Sequence, residues 1–343
     1  MPLDHYVTLG RSGLRVSPFC LGCMTFGEEW GFGSNVEDSE QILDRFLDAG
    51  GNFLDTANVY TKGHSEKIIG DHIGKDPAKR DRLVIATKFL GNLYPGDPNG
   101  GGAHRKAIFN ACEQSLRRLN TDYIDLYYLH AFDEDAPLKE TLETLNDFVR
   151  QGKIRYIGVS NFAAWQVMKA LSIAEQQHYE SIACIQPMYN LLKRQCESEI
   201  LPMAASEKLG VLPYSPIGGG YLSGKYLDAK SVDGRLATSE TYQKRYADES
   251  NRKATEQFMS FAQKQNIHPA SLAIAWVASH PVVTAPIIGA RNIDQLRTAL
   301  DSLDIEMSGD MRRKISGFSR EPALPTDRTE EQPEQRANWT PTK

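Results

Sequence analysis

An aspartate, a tyrosine, a lysine and a histidine stand at or just beyond the ends of three short apolar runs: Asp55 and Tyr60 after the first, Lys88 after the second, His130 after the third. A phenol with a pKa of about 10 exchanges protons poorly at neutral pH, but a neighbouring ammonium favours the phenolate and moves it toward use. Lys88 would tune Tyr60 in this way. A desolvated lysine tends to lose its own proton unless a carboxylate opposes the loss, which gives Asp55 a reason to lie beside it. His130 can donate one N–H to a substrate oxygen. The four side chains together suit protonation of a carbonyl that receives a hydride, or the reverse reaction on an alcohol. Further polar residues end later apolar runs: Ser160 and Asn161, Gln186, Tyr214 and Ser215, and Gly289 to Arg291. Each of these alone reads as a helix cap or a loop residue, so their weight depends on whether the fold gathers them on one face.

The elements that would position them alternate. After a short polar hairpin over 5–16, brief apolar runs rich in β-branched and aromatic residues are followed by longer segments of helical spacing. Strands are expected over 19–22, 52–55, 83–88, 123–130, 154–160, 182–187, 210–214 and 282–288. Helices are expected over 38–49, 65–73, 104–119, 138–151, 163–177, 194–208, 251–280 and 292–300. Asp38 and Ser39 open the first helix and Asn292 precedes the last, as helix starts favour. Strict alternation means parallel strands with crossover helices, and eight units close a barrel. An open doubly wound sheet is the alternative; to hold a dinucleotide it would need G-x-G-x-x-G after its first strand, which no glycine cluster here supplies. The expected fold class is therefore α/β, a (β/α)8 TIM barrel with an N-terminal β-hairpin, forming one domain over 1–343 with its core at 7–318. Such barrels carry their chemistry at the C-terminal strand ends, so all the polar ends above would meet in one mouth. Two stretches break the alternation. Residues 217–250 form a long polar loop after the seventh strand, expected to act as a lid, and 321–343, with four prolines and many charges, should be an irregular tail.

Composition narrows the classes of function. The chain has 343 residues, a formal net charge of −5 and no run of Lys or Arg, so the electrostatic footprint of a nucleic-acid-binding protein is missing. No apolar run reaches the roughly 18 residues of a membrane span, and the start lacks the charged-then-apolar order of a signal peptide; a cytoplasmic protein is expected. The five cysteines include one close pair, Cys20 and Cys23, which makes neither a disulfide framework nor a four-ligand zinc pattern. His64, His72, His104, His268 and His280 also lack metal-ligand spacing, and no metal is expected. Gly219-x4-Gly224-Lys225 imitates a P-loop until Tyr226, which lacks the hydroxyl geometry of a magnesium ligand.

Five separated motifs, in order, resemble the aldo-keto reductase superfamily. They are Gly51-Asn-Phe-Leu-Asp-Thr-Ala-Asn-Val-Tyr60 with Gly63-His-Ser-Glu-Lys-Ile-Ile-Gly70; Ile85-Ala-Thr-Lys88; the run from Leu116 to His130; and Gly152-Lys-Ile-Arg-Tyr-Ile-Gly-Val-Ser-Asn161. The resemblance covers the chain from about Val7 to Phe318 and implies a metal-free NADP(H)-dependent reductase acting on a small carbonyl or alcohol, in which homo-oligomers are possible. It implies Tyr60 as general acid, Lys88 and Asp55 setting its pKa, and His130 orienting the carbonyl. Ser160, Asn161 and Gln186 would hydrogen-bond the nicotinamide carboxamide, with Tyr214 stacked on the ring and Gly22, Cys23 and Met24 beneath it. Ser215, Pro216, Ile217, Gly219 and Lys225 resemble the pyrophosphate clamp, joined by Arg235; Gly289, Arg291 and Gln295 resemble the adenosine phosphate end, where Arg291 would favour NADPH over NADH.

The chain also departs from the family pattern. Thr298-Ala299 stands where many relatives place Glu-Asn against the adenine, which weakens that recognition or moves it elsewhere. After His130 the loop reads Ala131-Phe-Asp-Glu-Asp-Ala-Pro, with Phe132 expected to face the pocket, and Glu28 to Asn35 resembles aryl-alcohol-dehydrogenase-like members, with Trp30 and Phe32 placed to wall an aromatic substrate. A non-catalytic cofactor-sensing subunit, as in potassium-channel β subunits, shares the fold and much of the site; the intact Asp55, Tyr60, Lys88 and His130 set favours an enzyme.

Overall fold

The computed structural model describes residues 2–74, 76–227, 239–246 and 248–326. Arg235 and most of the expected irregular tail lie outside the described residues. A two-stranded hairpin, β1 (Val7–Thr8) and β2 (Arg15–Val16), precedes eight parallel strands. These are β3 (Cys20–Gly22), β4 (Phe53–Asp55), β5 (Val84–Phe89), β6 (Ile124–Leu129), β7 (Ile154–Ser160), β8 (Ile182–Gln186), β9 (Gly210–Val211) and β10 (Ile287–Ile288), hydrogen-bonded in the order β10-β3-β4-β5-β6-β7-β8-β9. Past the last ladder pair, Thr284 N donates to Val211 O at 2.9 Å and Ile287 N to Pro213 O at 2.8 Å, bringing the two edges together. The architecture is the (β/α)8 barrel that the alternation predicts.

The last two barrel strands are shorter than expected, and proline explains both. Pro213 and Pro286 carry no N–H, so neither can donate to a ladder, and regular pairing stops beside them. The helices are α1 (Val36–Asp48), α2 (His64–Ile69), α3 (Pro77–Arg80), α4 (Arg105–Leu119), α5 (Leu138–Arg150), α6 (Ala164–Gln177), α7 (Ile200–Ser206), α8 (Glu240–Tyr246), α9 (Glu249–Lys264), α10 (Pro269–Ala278), α11 (Ile293–Leu300) and α12 (Gly309–Ser316). The single helix expected over 251–280 is two, α9 and α10. Asn266 adopts a left-handed φ of 54°, and Pro269 starts the next helix with the His268 ring accepting from Ala270 N at 3.2 Å. The stretch read as a loop over 217–250 contains α8, and α12 was not expected at all.

Strand alternation sorts the side chains into two shells. Phe53, Val84, Ala86, Leu126, Tyr128, Cys184 and Leu212 point into the barrel, where Leu9 and Val16 of the hairpin join them; the intervening residues pack against the helices. The interior is filled to contact. A Cβ on Gly158 would lie 2.4 Å from the Tyr128 ring, so the absence of a side chain on β7 is what admits the tyrosine from β6.

Candidate active site

The same period of two carries the inward row to the C-terminal strand ends. Asp55 lies two residues past Phe53, Lys88 two past Ala86, His130 two past Tyr128, Ser160 two past Gly158, Gln186 two past Cys184 and Tyr214 two past Leu212. They surround the floor of a cavity of about 610 Å³, which Asp55, Tyr60, His130, Ser160, Gln186 and Tyr214 line. Lys88 is wholly buried beneath it.

The Lys88 ammonium is the hub. It pairs with one oxygen of Asp55, donates to Thr56 O at 2.8 Å and donates to the Tyr60 oxygen at 3.3 Å. The second Asp55 oxygen accepts from Gln186 Nε2 at 2.8 Å, so Gln186 serves Asp55, a contact the sequence did not suggest. Tyr60 is placed by an uncommon turn. Thr61 and Lys62 have φ of 47° and 58°, and the turn is held where Thr61 Oγ1 donates to Phe26 O at 2.7 Å and accepts from Ser65 N at 3.0 Å. The Tyr60 ring meets His130 edge-on at 5.8 Å and Trp30 at 5.9 Å.

Burial and charge compete in setting the protonation states. Burial alone would strip Lys88 of its proton; the Asp55 and Tyr60 oxygens reverse this and leave its pKa above the ordinary value. Burial raises Asp55, against the pull of Lys88. For Tyr60 the expected tuning by Lys88 is present but smaller than the opposing effect: burial pushes the phenol up, and the ammonium only moderates the rise. Burial, reinforced by the Lys88 charge, pushes His130 down to about 3. At neutral pH the site therefore holds a charged Lys88, in salt-bridge contact with Asp55, a protonated phenol and a neutral imidazole with one N–H.

Beyond this group, Ser160 Oγ donates to Gln186 O at 2.9 Å, and Asn161 Nδ2 donates to His130 O at 2.9 Å while its Oδ1 accepts from the Tyr214 hydroxyl at 2.7 Å. Met24, Ser215, Pro216, Ile217, Gly219, Lys225, Gly289, Arg291 and Gln295 all line the cavity, as does Gly22. Gly218, Gly219 and Gly220 have φ of 59°, 63° and 94°, a path that glycine alone follows without strain. At the far end, Arg291 N donates to Gln295 Oε1 at 3.0 Å and Gln295 N to Asn292 Oδ1 at 2.9 Å. Cys23 is separated from this surface: its thiol is buried and turned toward Leu21 O. Phe132 does not face the cavity as expected; it packs against Phe162 and Trp165 at 5.3 and 5.9 Å and is not among the described lining residues, whereas Phe32 is. Sequence reasoning missed Tyr242 and Arg245, which α8 brings to the cavity, and His268 at the start of α10. The one local signal for α8 was the pair Glu240 and Lys244, four residues apart and 2.6 Å from each other.

Comparison with known proteins agrees with this geometry. A family model described as the aldo/keto reductase family matches residues 18–320. The chain is 37% identical to the uncharacterized oxidoreductase YrpG of Bacillus subtilis (strain 168), across 91% of this chain and 95% of that protein. It is 34% identical to the protein tas of Escherichia coli (strain K12), across 91% and 96% of the two chains. It is 32% identical to norsolorinic acid reductase of Aspergillus flavus, across 91% and 80%. Among the described residues, no helix is long and apolar enough to cross a membrane.

Proposed function

Because the chain belongs to the aldo/keto reductase family, we propose that it reduces aldehydes or ketones to alcohols, reversibly, with NADPH as the hydride donor. The observation that carries this reading is the buried Lys88 ammonium, held by Asp55 and donating to the Tyr60 oxygen at 3.3 Å. Tyr60 is then the proton donor to the carbonyl oxygen. Its raised pKa keeps the proton in place until negative charge develops on the substrate, and Lys88 stabilises the phenolate left behind. Neutral His130 donates its N–H to the same oxygen and fixes the direction of the carbonyl. Asp55 keeps Lys88 charged, and Gln186 fixes Asp55. Tyr60 gives the one proton the reduction consumes and is reprotonated from solvent, so the reading requires no metal ion.

The cavity residues fit a nicotinamide dinucleotide. The donor set pairs an ammonium, Lys225, and a guanidinium, Arg291, with the backbone amides of a glycine run, which suits phosphate oxygens. At Gly289 a Cβ would meet nothing nearer than 3.8 Å, leaving its backbone approachable. Bound there, the dinucleotide supplies the hydride. Ser160, Asn161 and Gln186 would hold the carboxamide end, Tyr214 the ring face, and Ser215, Pro216, Ile217, Gly219 and Lys225 the pyrophosphate. Arg291 sits at the start of α11, where its charge and the helix terminus both favour an anion, so NADPH is preferred over NADH. A charge-assisted contact of this kind contributes roughly 1.5–3 kcal/mol, or ten- to a hundredfold in affinity. A panel of aldehydes and ketones followed by NADPH absorbance tests the activity, and titration of both nucleotides into wild type and Arg291→Ala tests the preference. Carbonyl-dependent NADPH oxidation, unaffected by EDTA, is expected; no oxidation with any carbonyl, or equal nucleotide affinities in the wild type, would contradict the respective parts.

A further inference from the structure

The cavity holds a third cation that the proposed chemistry does not use. Arg245 lines it from α8, with its guanidinium carbon 5.1 Å from the centroid of the Tyr242 ring, another lining residue. The helix is pinned from below: Tyr246, with no exposed surface, stacks at 6.1 Å on Tyr221 and accepts at its hydroxyl from Asn190 Nδ2 at 3.2 Å. Among the described residues no carboxylate lies within ion-pair distance of Arg245. Of the acids near it in sequence, Asp248 caps the next helix by accepting from Ser250 N at 2.7 Å and Glu240 pairs with Lys244 at 2.6 Å, and across the cavity Asp55 is held by Lys88 and Gln186. Arg245 and Tyr242 line the same cavity as Tyr60 and Tyr214. The cavity walls carry the aromatic rings of Phe32, Tyr60, Tyr214 and Tyr242, while the expected wall residue Trp30 is not among the described lining residues and packs 5.9 Å from both Phe32 and Tyr60.

We propose that Arg245 is a specificity-determining residue that pairs with a carboxylate on the substrate, making an aromatic aldehyde or ketone with an acidic group remote from the carbonyl the preferred class. The inference rests on the carbonyl-reductase reading above. A planar guanidinium meets a carboxylate through two parallel N–H donors, and a cavity lined by tyrosine and phenylalanine screens that contact less than water does. The aromatic walls supply area for a ring between the two polar ends, with Tyr60 and His130 at the carbonyl and Arg245 at the acid.

The test compares 4-carboxybenzaldehyde with its methyl ester, which keeps the ring and the aldehyde and removes the charge. Wild type should favour the acid by roughly ten- to a hundredfold in kcat/KM, the range of a charge-assisted hydrogen bond. In Arg245→Met the preference should collapse, chiefly through KM, and Arg245→Lys should restore part of it. An equal kcat/KM for acid and ester in wild type would overturn the proposal. So would an unchanged preference in Arg245→Met, including the case in which that variant instead weakens NADPH binding and so places Arg245 on the dinucleotide. If neither aldehyde turns over, the carbonyl-reductase reading fails, and the proposal is then decided by the affinity of 4-(hydroxymethyl)benzoate read from tryptophan fluorescence. At least tenfold weaker binding to Arg245→Met would support the pairing, and equal binding would overturn it.

Discussion

Replacing Lys88 with methionine removes the charge that links the two halves of the site and separates its catalytic effect from its structural one. Across the 3.3 Å between Lys88 Nζ and the Tyr60 oxygen, Coulomb's law with an effective dielectric constant of about 20 gives roughly 5 kcal/mol between ammonium and phenolate. With the proton about half transferred at the transition state, about half of that bears on the rate, so turnover should fall roughly fifty- to a hundredfold. The structural effect acts through Asp55, which would keep only Gln186 as partner. An unpaired buried carboxylate takes up a proton, which limits the penalty to the work of holding that proton against an unfolded pKa of about 3.9: about 4 kcal/mol at pH 7 and about 1.5 kcal/mol at pH 5. The sign follows from the direction of the shift. A carboxyl whose folded pKa lies above its unfolded value binds extra protons when folded, so the variant loses stability as pH rises through that interval. Adding Asp55→Asn should recover stability at pH 7 without recovering turnover. Steady-state rates and denaturant melts of the single and double variants at pH 5 and 7 read both effects. Recovery of turnover together with stability would show that Lys88 acts only by holding the fold.

The other predictions concern neighbouring groups. With His130 pushed down to about 3, it stays neutral across the working range, so kcat/KM should show no inflection between pH 5 and 8 that disappears in His130→Gln; such an inflection would mean that the imidazole titrates there. Gly158→Ala should cost about 1–3 kcal/mol by chemical denaturation, because the new Cβ would stand 2.4 Å from the Tyr128 ring, and an unchanged midpoint would show that the barrel interior yields freely.

Much of the site was legible because a strand has a period of two and a barrel has one working face. Once Phe53, Ala86, Tyr128, Gly158 and Cys184 are read as interior, Asp55, Lys88, His130, Ser160 and Gln186 follow as the next inward positions. Arg245 was illegible for the opposite reason. Its helix has seven residues inside a polar stretch, and its position depends on Tyr246 packing against Tyr221 and Asn190 rather than on local spacing. The two short strands β9 and β10 depended on where Pro213 and Pro286 fell within apolar runs that otherwise read as strands. The role of Gln186 needed the distance from β8 across the mouth to β4, which no local pattern contains. The net direction of the Tyr60 shift is a difference between burial and charge, and a sequence names the charges without giving the depth.

The central claim is that Tyr60 delivers the proton, and Tyr60→Phe tests it most directly because it removes one oxygen and leaves the ring against His130 and Trp30. With an aromatic aldehyde and saturating NADPH, the variant should reduce the carbonyl more slowly by about a hundredfold or more, the range for losing a general acid, while its affinity for the nucleotide stays that of the wild type. Turnover close to wild type with the same nucleotide affinity would contradict the assignment and with it the mechanism built on Lys88.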